Sequence, residues 1–164
     1  MTNPVFLADE KATHSFATMF SGCLKEFGLP ESGFTIYLDG DLGAGKTTFT
    51  RALLHALGFS GHVKSPTYTL LEEYHLSCGI VIQHFDLYRF SSSQEWEDAG
   101  FDDCVCTPAL RLIEWAEKGD DYPPPADCVI AFCVQDVGRM VTITALSDLG
   151  KDLFSQWHIS LGEN

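Results

Sequence analysis

Positive charge is what this sequence has least of. Ten lysines and arginines stand against 23 aspartates and glutamates, a formal net charge of −13 over 164 residues. A surface this acidic repels a phosphate backbone, which argues against direct, unaided binding of nucleic acid. Long apolar runs are missing too: there is no stretch of about 18 uncharged apolar residues, so no segment reads as membrane-spanning. The N-terminus has neither a basic patch nor the apolar segment of a secretory signal. The six cysteines, Cys23, Cys78, Cys104, Cys106, Cys128 and Cys133, are therefore read as reduced thiols of a cytoplasmic protein, packed as small hydrophobes. Cys104-x-Cys106 lacks a second Cys or His pair at zinc-site spacing, which argues against a structural metal.

The few cations are unevenly placed, with Lys46, Lys64 and Arg89 in or beside the motifs of the chain. The segment Leu38 to Thr50 reads LDGDLGAGKTTFT, in which Gly40, Gly45, Lys46 and Thr47 spell G-x-x-x-x-G-K-[ST], the phosphate-binding loop pattern. It follows FTIYL, a short β-favouring apolar run, and precedes TTFTRALLHALG, where Phe49, Leu53, Leu54 and Leu57 share a helical face before Gly58. Strand, glycine loop and helix form the context that the pattern requires. Glycine lets backbone N–H groups approach a phosphate with no Cβ in the way, and the helix N-terminus adds unpaired N–H groups and the positive dipole end. Gly40, Asp41, Gly43, Ala44, Gly45, Lys46, Thr47 and Thr48 make up the candidate nucleotide-binding set, with Lys46 for the β and γ phosphates and the Thr47 hydroxyl for Mg²⁺.

The remaining pattern indicates few helices among many strands. Asp9 to Gly28 is an amphipathic helix with Asp9 as N-cap, followed by a break at Pro30 and Gly33. YTLLEEYHL and GIVIQHFDLY read as a hairpin turning at Ser77 to Gly79. ALRLIEW is a further buried strand, CVIAFCV and RMVTITAL form a second hairpin near Asp136 to Gly138, and Asp148 to about Trp157 is a closing helix. The acidic stretch SSSQEWEDAGFDDC is expected as a helix followed by an exposed loop, its charges serving either as a solvated face or for docking a partner. The expected fold is α/β, a P-loop NTPase-like three-layer domain with a mixed parallel/antiparallel central sheet, formed as one domain by residues 1–164.

Phosphoryl transfer to water needs a carboxylate near the metal and a group that positions the water. Asp86 after IVIQHF and Glu114 after LRLI both follow apolar strands and are candidates for catalysis and for the metal, beside Thr47. Ser65-Pro66-Thr67 lies where a γ-phosphate-sensing segment would sit, with Thr67 as the leading contact; the plain alternative is a turn before a strand. His84 reads as a packed or hydrogen-bonded strand residue, with a chemical role as the alternative, and Arg89 serves either to stabilise charge or to pair with an acid. A small-molecule kinase shares the loop pattern but generally closes an arginine-bearing lid, whereas Arg51, Arg89, Arg111 and Arg139 are dispersed. A GTPase is disfavoured by the absence of the guanine-reading Asn-Lys-x-Asp. A nucleotide-sensing binding module remains a further alternative.

These residues carry a resemblance. GDLGAGKTT at 40–48, SPTYTL at 65–70, HFDLYR at 84–89 and IEW at 113–115 are similar, in order and separation, to the motifs of the TsaE (YjeE) family, the small P-loop ATPases of bacterial tRNA threonylcarbamoyladenosine biosynthesis. The resemblance spans about Asp9 to Ala145 and implies ATP and Mg²⁺ at Gly40, Gly43, Gly45, Lys46 and Thr47. It also implies a switch-like segment at Ser65, Pro66 and Thr67, a strand-end aspartate at Asp86, a metal-associated glutamate at Glu114 and an adjoining family tryptophan at Trp115. Tyr68 departs from the family's usual phenylalanine. The implied activity is that of a partner-dependent ATPase, slow alone. With TsaD-like and TsaB-like proteins it would support threonylcarbamoylation of adenosine 37 in tRNAs reading ANN codons, touching tRNA only indirectly and no membrane.

Overall fold

The computed structural model describes residues 4–29 and 32–161, with side chains described up to Ser155. Pro30, expected to break the chain after the first helix, lies outside the described residues. Strand β1 (Val5–Leu7) leads into α1 (Glu10–Phe27), β2 (Phe34–Asp39) and α2 (Lys46–Ala56). A hairpin of β3 (Leu71–His75) and β4 (Val81–Asp86) follows, then the short helices α3 (Glu95–Asp98) and α4 (Phe101–Val105) and strand β5 (Leu110–Glu114). After a 3-10 turn at Ala116–Gly119 come β6 (Cys128–Val134), β7 (Arg139–Ala145) and α5 (Asp148–Leu161).

The seven strands run in the order β1-β7-β6-β2-β5-β4-β3. The inner four, β6, β2, β5 and β4, are parallel neighbours, and antiparallel pairs close both edges, β3 on β4 and β7 on β6 with β1 beyond. The expected mixed sheet is present, and its parallel centre follows from burial on both faces. One face carries the larger core, where Phe16 and Phe20 of α1 meet Phe49 of α2 at ring-centroid distances of 5.7 and 6.0 Å, and Phe49 reaches Phe132 of β6 at 5.6 Å. The other face carries a smaller cluster of Phe85, Leu87, Phe90, Trp96, Phe101 and Ile113, which completes three layers.

Local chemistry explains the helix that steadies this arrangement. The Asp9 side chain accepts from Ala12 N at 2.8 Å and so caps α1, as its sequence position predicts. Gly28, at φ 71, returns its N–H to Leu24 O and stops the helix. Lys25, in the last turn, donates from Nζ to Ala56 O at 2.7 Å, so α1 also satisfies the end of α2.

Two expectations need revision, and one element was not foreseen. The acidic stretch is not a helix with an exposed loop: it forms two short helices bent at Gly100, with Trp96 and Phe101 buried against Phe85. Its charges are partly spent at home, since Asp102 accepts from Trp96 Nε1 at 2.9 Å and Glu95 from the Ser91 and Ser92 N–H groups. The cysteines are not uniformly buried; Cys23 and Cys128 are, while Cys78, Cys106 and Cys133 are exposed, and all six are free thiols. Strand β1 had no counterpart in the sequence reading, because three residues are too few for a period to show. Among the described residues, no helix is long and apolar enough to cross a membrane.

Candidate functional site

The C-terminal ends of the parallel strands bring the expected residues to one place. Strand β2 ends at Asp39, the glycine loop turns through residues 40–45, and α2 starts at Lys46. Two glycines are dictated by their surroundings. Gly40 has φ 140, and a Cβ there would meet Phe132 O at 2.5 Å; Gly45 has φ 107, and its Cβ would fall 1.7 Å from Arg139 Nη1. No side chain caps α2, and its first turn contains no acid, so its leading N–H groups and dipole end remain available to an anion.

Lys46 is nearly buried and turned back onto its own loop. Its Nζ donates to the carbonyls of Gly40 and Asp41, the latter at 3.1 Å, and lies 4.4 Å from the centroid of the Trp115 ring. Trp115 holds a left-handed conformation, φ 58 and ψ 40, which a bulky residue adopts only under constraint. Its indole is also tilted against Tyr88 at 5.1 Å. Asp86 and Glu114 are in register across β4 and β5, so both carboxylates emerge together beside the loop. The Thr47 hydroxyl donates to Glu114 Oε1 at 3.3 Å, and His84 Nε2 donates to the same oxygen at 2.8 Å. Thr67 Oγ1 donates to Asp86 Oδ2 at 3.2 Å and is 2.8 Å from Ser65 Oγ, while Asp86 Oδ1 accepts from Tyr88 N at 3.0 Å. Leu70, at φ 66, anchors this segment: its N–H binds Pro66 O and its carbonyl accepts from Asp86 N.

These groups surround a cleft of about 380 Å³, within the range of small-molecule sites. It is lined by Leu42, Gly43, Ala44, Gly45, Lys46, Thr47 and Thr48 from the loop, by Thr67, and by Asp86, Tyr88, Arg89, Glu114 and Trp115. Gly40 and Asp41 contribute through the carbonyls that hold Lys46. Lys64 is not in the lining; its backbone is hydrogen-bonded to the Tyr74 hydroxyl. Arg89 reaches the cleft with its guanidinium carbon 4.2 Å from the centroid of the exposed Tyr68 ring. No residue of α1 lines this cleft.

Among the described residues no three His, Cys, Asp or Glu side chains form a cluster able to hold a metal by themselves. Two carboxylates and a hydroxyl beside a phosphate loop suit Mg²⁺, which keeps waters and takes substrate oxygens rather than an all-protein cage. Sequence reasoning missed two neighbours. Arg139, at the start of β7, donates to Ala44 O at 3.2 Å and braces the loop, and Tyr88 lines the cleft. Arg139 had no motif to mark it, while Tyr88 lies inside HFDLYR without having been singled out there.

The site geometry has parallels among known proteins. Residues 7–141 match the family model of the threonylcarbamoyl adenosine biosynthesis protein TsaE. The tRNA threonylcarbamoyladenosine biosynthesis protein TsaE of Haemophilus influenzae is 42% identical over 150 residues, covering 92% of this chain and 94% of that protein. Its Bacillus subtilis counterpart is 36% identical over 118 residues, covering 71% and 72% of the two chains. The crystal structure of Bacillus subtilis YdiB superposes with a TM-score of 0.75 at 27% identity, covering 99% of this chain and 96% of that one. A glycine loop opening α2 with two strand-end carboxylates beside it, in a chain matched along most of its length, makes this protein a member of the TsaE family.

Proposed function

We propose that the whole chain works as one P-loop ATPase domain that binds ATP with Mg²⁺ in this cleft. Its hydrolysis of ATP would support threonylcarbamoyl transfer to adenosine 37 of tRNAs reading ANN codons. The observation that carries the reading is the convergence of Lys46, Thr47, Asp86 and Glu114 on the uncapped N-terminus of α2, in a member of the TsaE family. The curated relatives bear the name of tRNA threonylcarbamoyladenosine biosynthesis, which supports the same pathway here.

The residues divide the work. Lys46 exchanges the carbonyls of Gly40 and Asp41 for β and γ phosphate oxygens, and the N–H groups of the loop and α2 hold the rest of the polyphosphate. Thr47, Asp86 and Glu114 would hold Mg²⁺, directly or through its waters, and the ion would neutralise phosphate charge. Glu114 orients the attacking water and receives its proton, and Thr67 couples the Ser65–Leu70 segment to the state of the site through Asp86. Arg89 is the cation available to developing charge at the mouth of the cleft. The net charge of −13 suits docking on basic protein surfaces, so TsaD-like and TsaB-like partners hold the tRNA in the cytoplasm, and hydrolysis by the free chain is slow.

Glu114→Ala and Lys46→Ala separate these roles. Lys46→Ala is expected to lose ATP binding in an equilibrium titration. Glu114→Ala is expected to bind ATP and the partners while losing hydrolysis by at least about 100-fold. Hydrolysis at the native rate in Glu114→Ala would contradict the assignment, and transfer of the phosphoryl group to a small acceptor would favour a kinase.

A further inference from the structure

His84 is fully buried and has no assigned part in the chemistry, yet it makes the shortest hydrogen bond to Glu114. It sits on β4 two residues before Asp86, opposite Leu112 in the register that sets Asp86 opposite Glu114. His84 therefore shares a sheet face with both carboxylates and approaches Glu114 diagonally across the two strands. Its Nδ1 has no hydrogen-bond partner among the described residues. An unpaired buried polar atom is costly, and an apolar side chain would fill the space without that cost. What the imidazole provides in return is one directed donor. Because a carboxylate only accepts, it is Nε2 that carries a hydrogen toward Glu114.

His84 Nε2 and Thr47 Oγ1 both donate to Oε1 of the Glu114 carboxylate. We propose that His84 is a positioning residue for Glu114: it pins Oε1 to the sheet so that Oε2 is presented to the cleft, where the attacking water is held. The proposal rests on the ATPase reading above. Thr47 cannot serve as the permanent anchor, because its hydroxyl is required by the metal during turnover. His84 is bound to the same oxygen from inside the core, and it keeps that contact when Thr47 turns away. The arrangement is that of a buried imidazole fixing the rotamer of a reacting carboxylate, as outer partners commonly do for the groups they orient.

Two near-isosteric variants test this. The amide nitrogen of His84→Gln reaches the place of Nε2, whereas that of His84→Asn reaches only the place of Nδ1. With the partner proteins present, His84→Asn is expected to lower kcat for ATP hydrolysis by about 10-fold or more with KM for ATP little changed, and His84→Gln to recover most of the loss. Binding of a fluorescent ADP analogue without metal should be the same in all three proteins. Independently of activity, ¹⁵N NMR of nucleotide-free protein should show that Nε2 of His84 carries a hydrogen. Native kcat in His84→Asn, equal losses in both variants, loss of nucleotide binding, or an Nε2 without a hydrogen would each overturn the proposal. If the wild-type chain hydrolyses no ATP even with its partners, the ATPase reading falls and the role of His84 falls with it. Native hydrolysis indifferent to His84→Asn removes only the latter.

Discussion

Ala44 and Arg139 are separated by 95 positions, yet the guanidinium lies against the phosphate loop and donates to its backbone. Glycine at 45 thus meets two demands, a positive φ and room for that guanidinium. Gly45→Ala is expected to weaken ATP affinity by about 10-fold or more, since backbone strain at such a position costs on the order of 1–3 kcal/mol. Adding Arg139→Ala should recover only part of this, because the contact is relieved and the dihedral is not. Titration of a fluorescent ATP analogue measures both effects, and full affinity in Gly45→Ala would show that the loop is reshaped on binding. The loop was legible because its defining residues are local, four identities within eight positions. The brace from Arg139 and the bond from His84 to Glu114 were not, because each depends on which strands become neighbours and in what register.

Behind the loop, α2 is held by an aromatic stack rather than by its own helix-forming tendency. Phe49 is wholly buried between Phe16 and Phe20 of α1 and Phe132 of β6. Phe49→Ala is expected to cost about 3–5 kcal/mol in urea unfolding and to weaken nucleotide binding as well, since the N-terminus of α2 loses its backing. A loss below about 1 kcal/mol would show that the site is held from elsewhere. The amphipathic stripe of α1, the caps at Asp9 and Gly28 and both hairpins could be read from periodicity and turn chemistry. The segment from Ser91 to Cys104 could not. Its two apolar anchors, Trp96 and Phe101, sit among acids, so composition pointed to solvent while the rings went to the back of β4.

At the scale of the molecule, the sheet separates a site-bearing face from a smaller aromatic core, and both buried cysteines, Cys23 and Cys128, belong to the larger core on the first of these. Burial pushes the Cys23 thiol up and the Cys128 thiol well up from the ordinary range, whereas Cys78, Cys106 and Cys133 face solvent. A chromogenic disulfide reagent should therefore modify Cys78, Cys106 and Cys133 in the native protein and reach Cys23 and Cys128 only on unfolding, as peptide mapping would show. Prompt native labelling of Cys128 would mean that the β6–β7 end of the sheet opens readily. The central claim is that an acidic P-loop protein of the TsaE family uses ATP to sustain a tRNA modification that its partners carry out. The most direct measurement is threonylcarbamoylation of tRNA by purified TsaD-like and TsaB-like partners over many turnovers, with this chain, with Lys46→Ala, and without either. Repeated turnover with the native chain, accompanied by partner-stimulated ATP hydrolysis and lost in Lys46→Ala, is the predicted result. Equal modification in all three reactions, with hydrolysis indifferent to the partners, would contradict it.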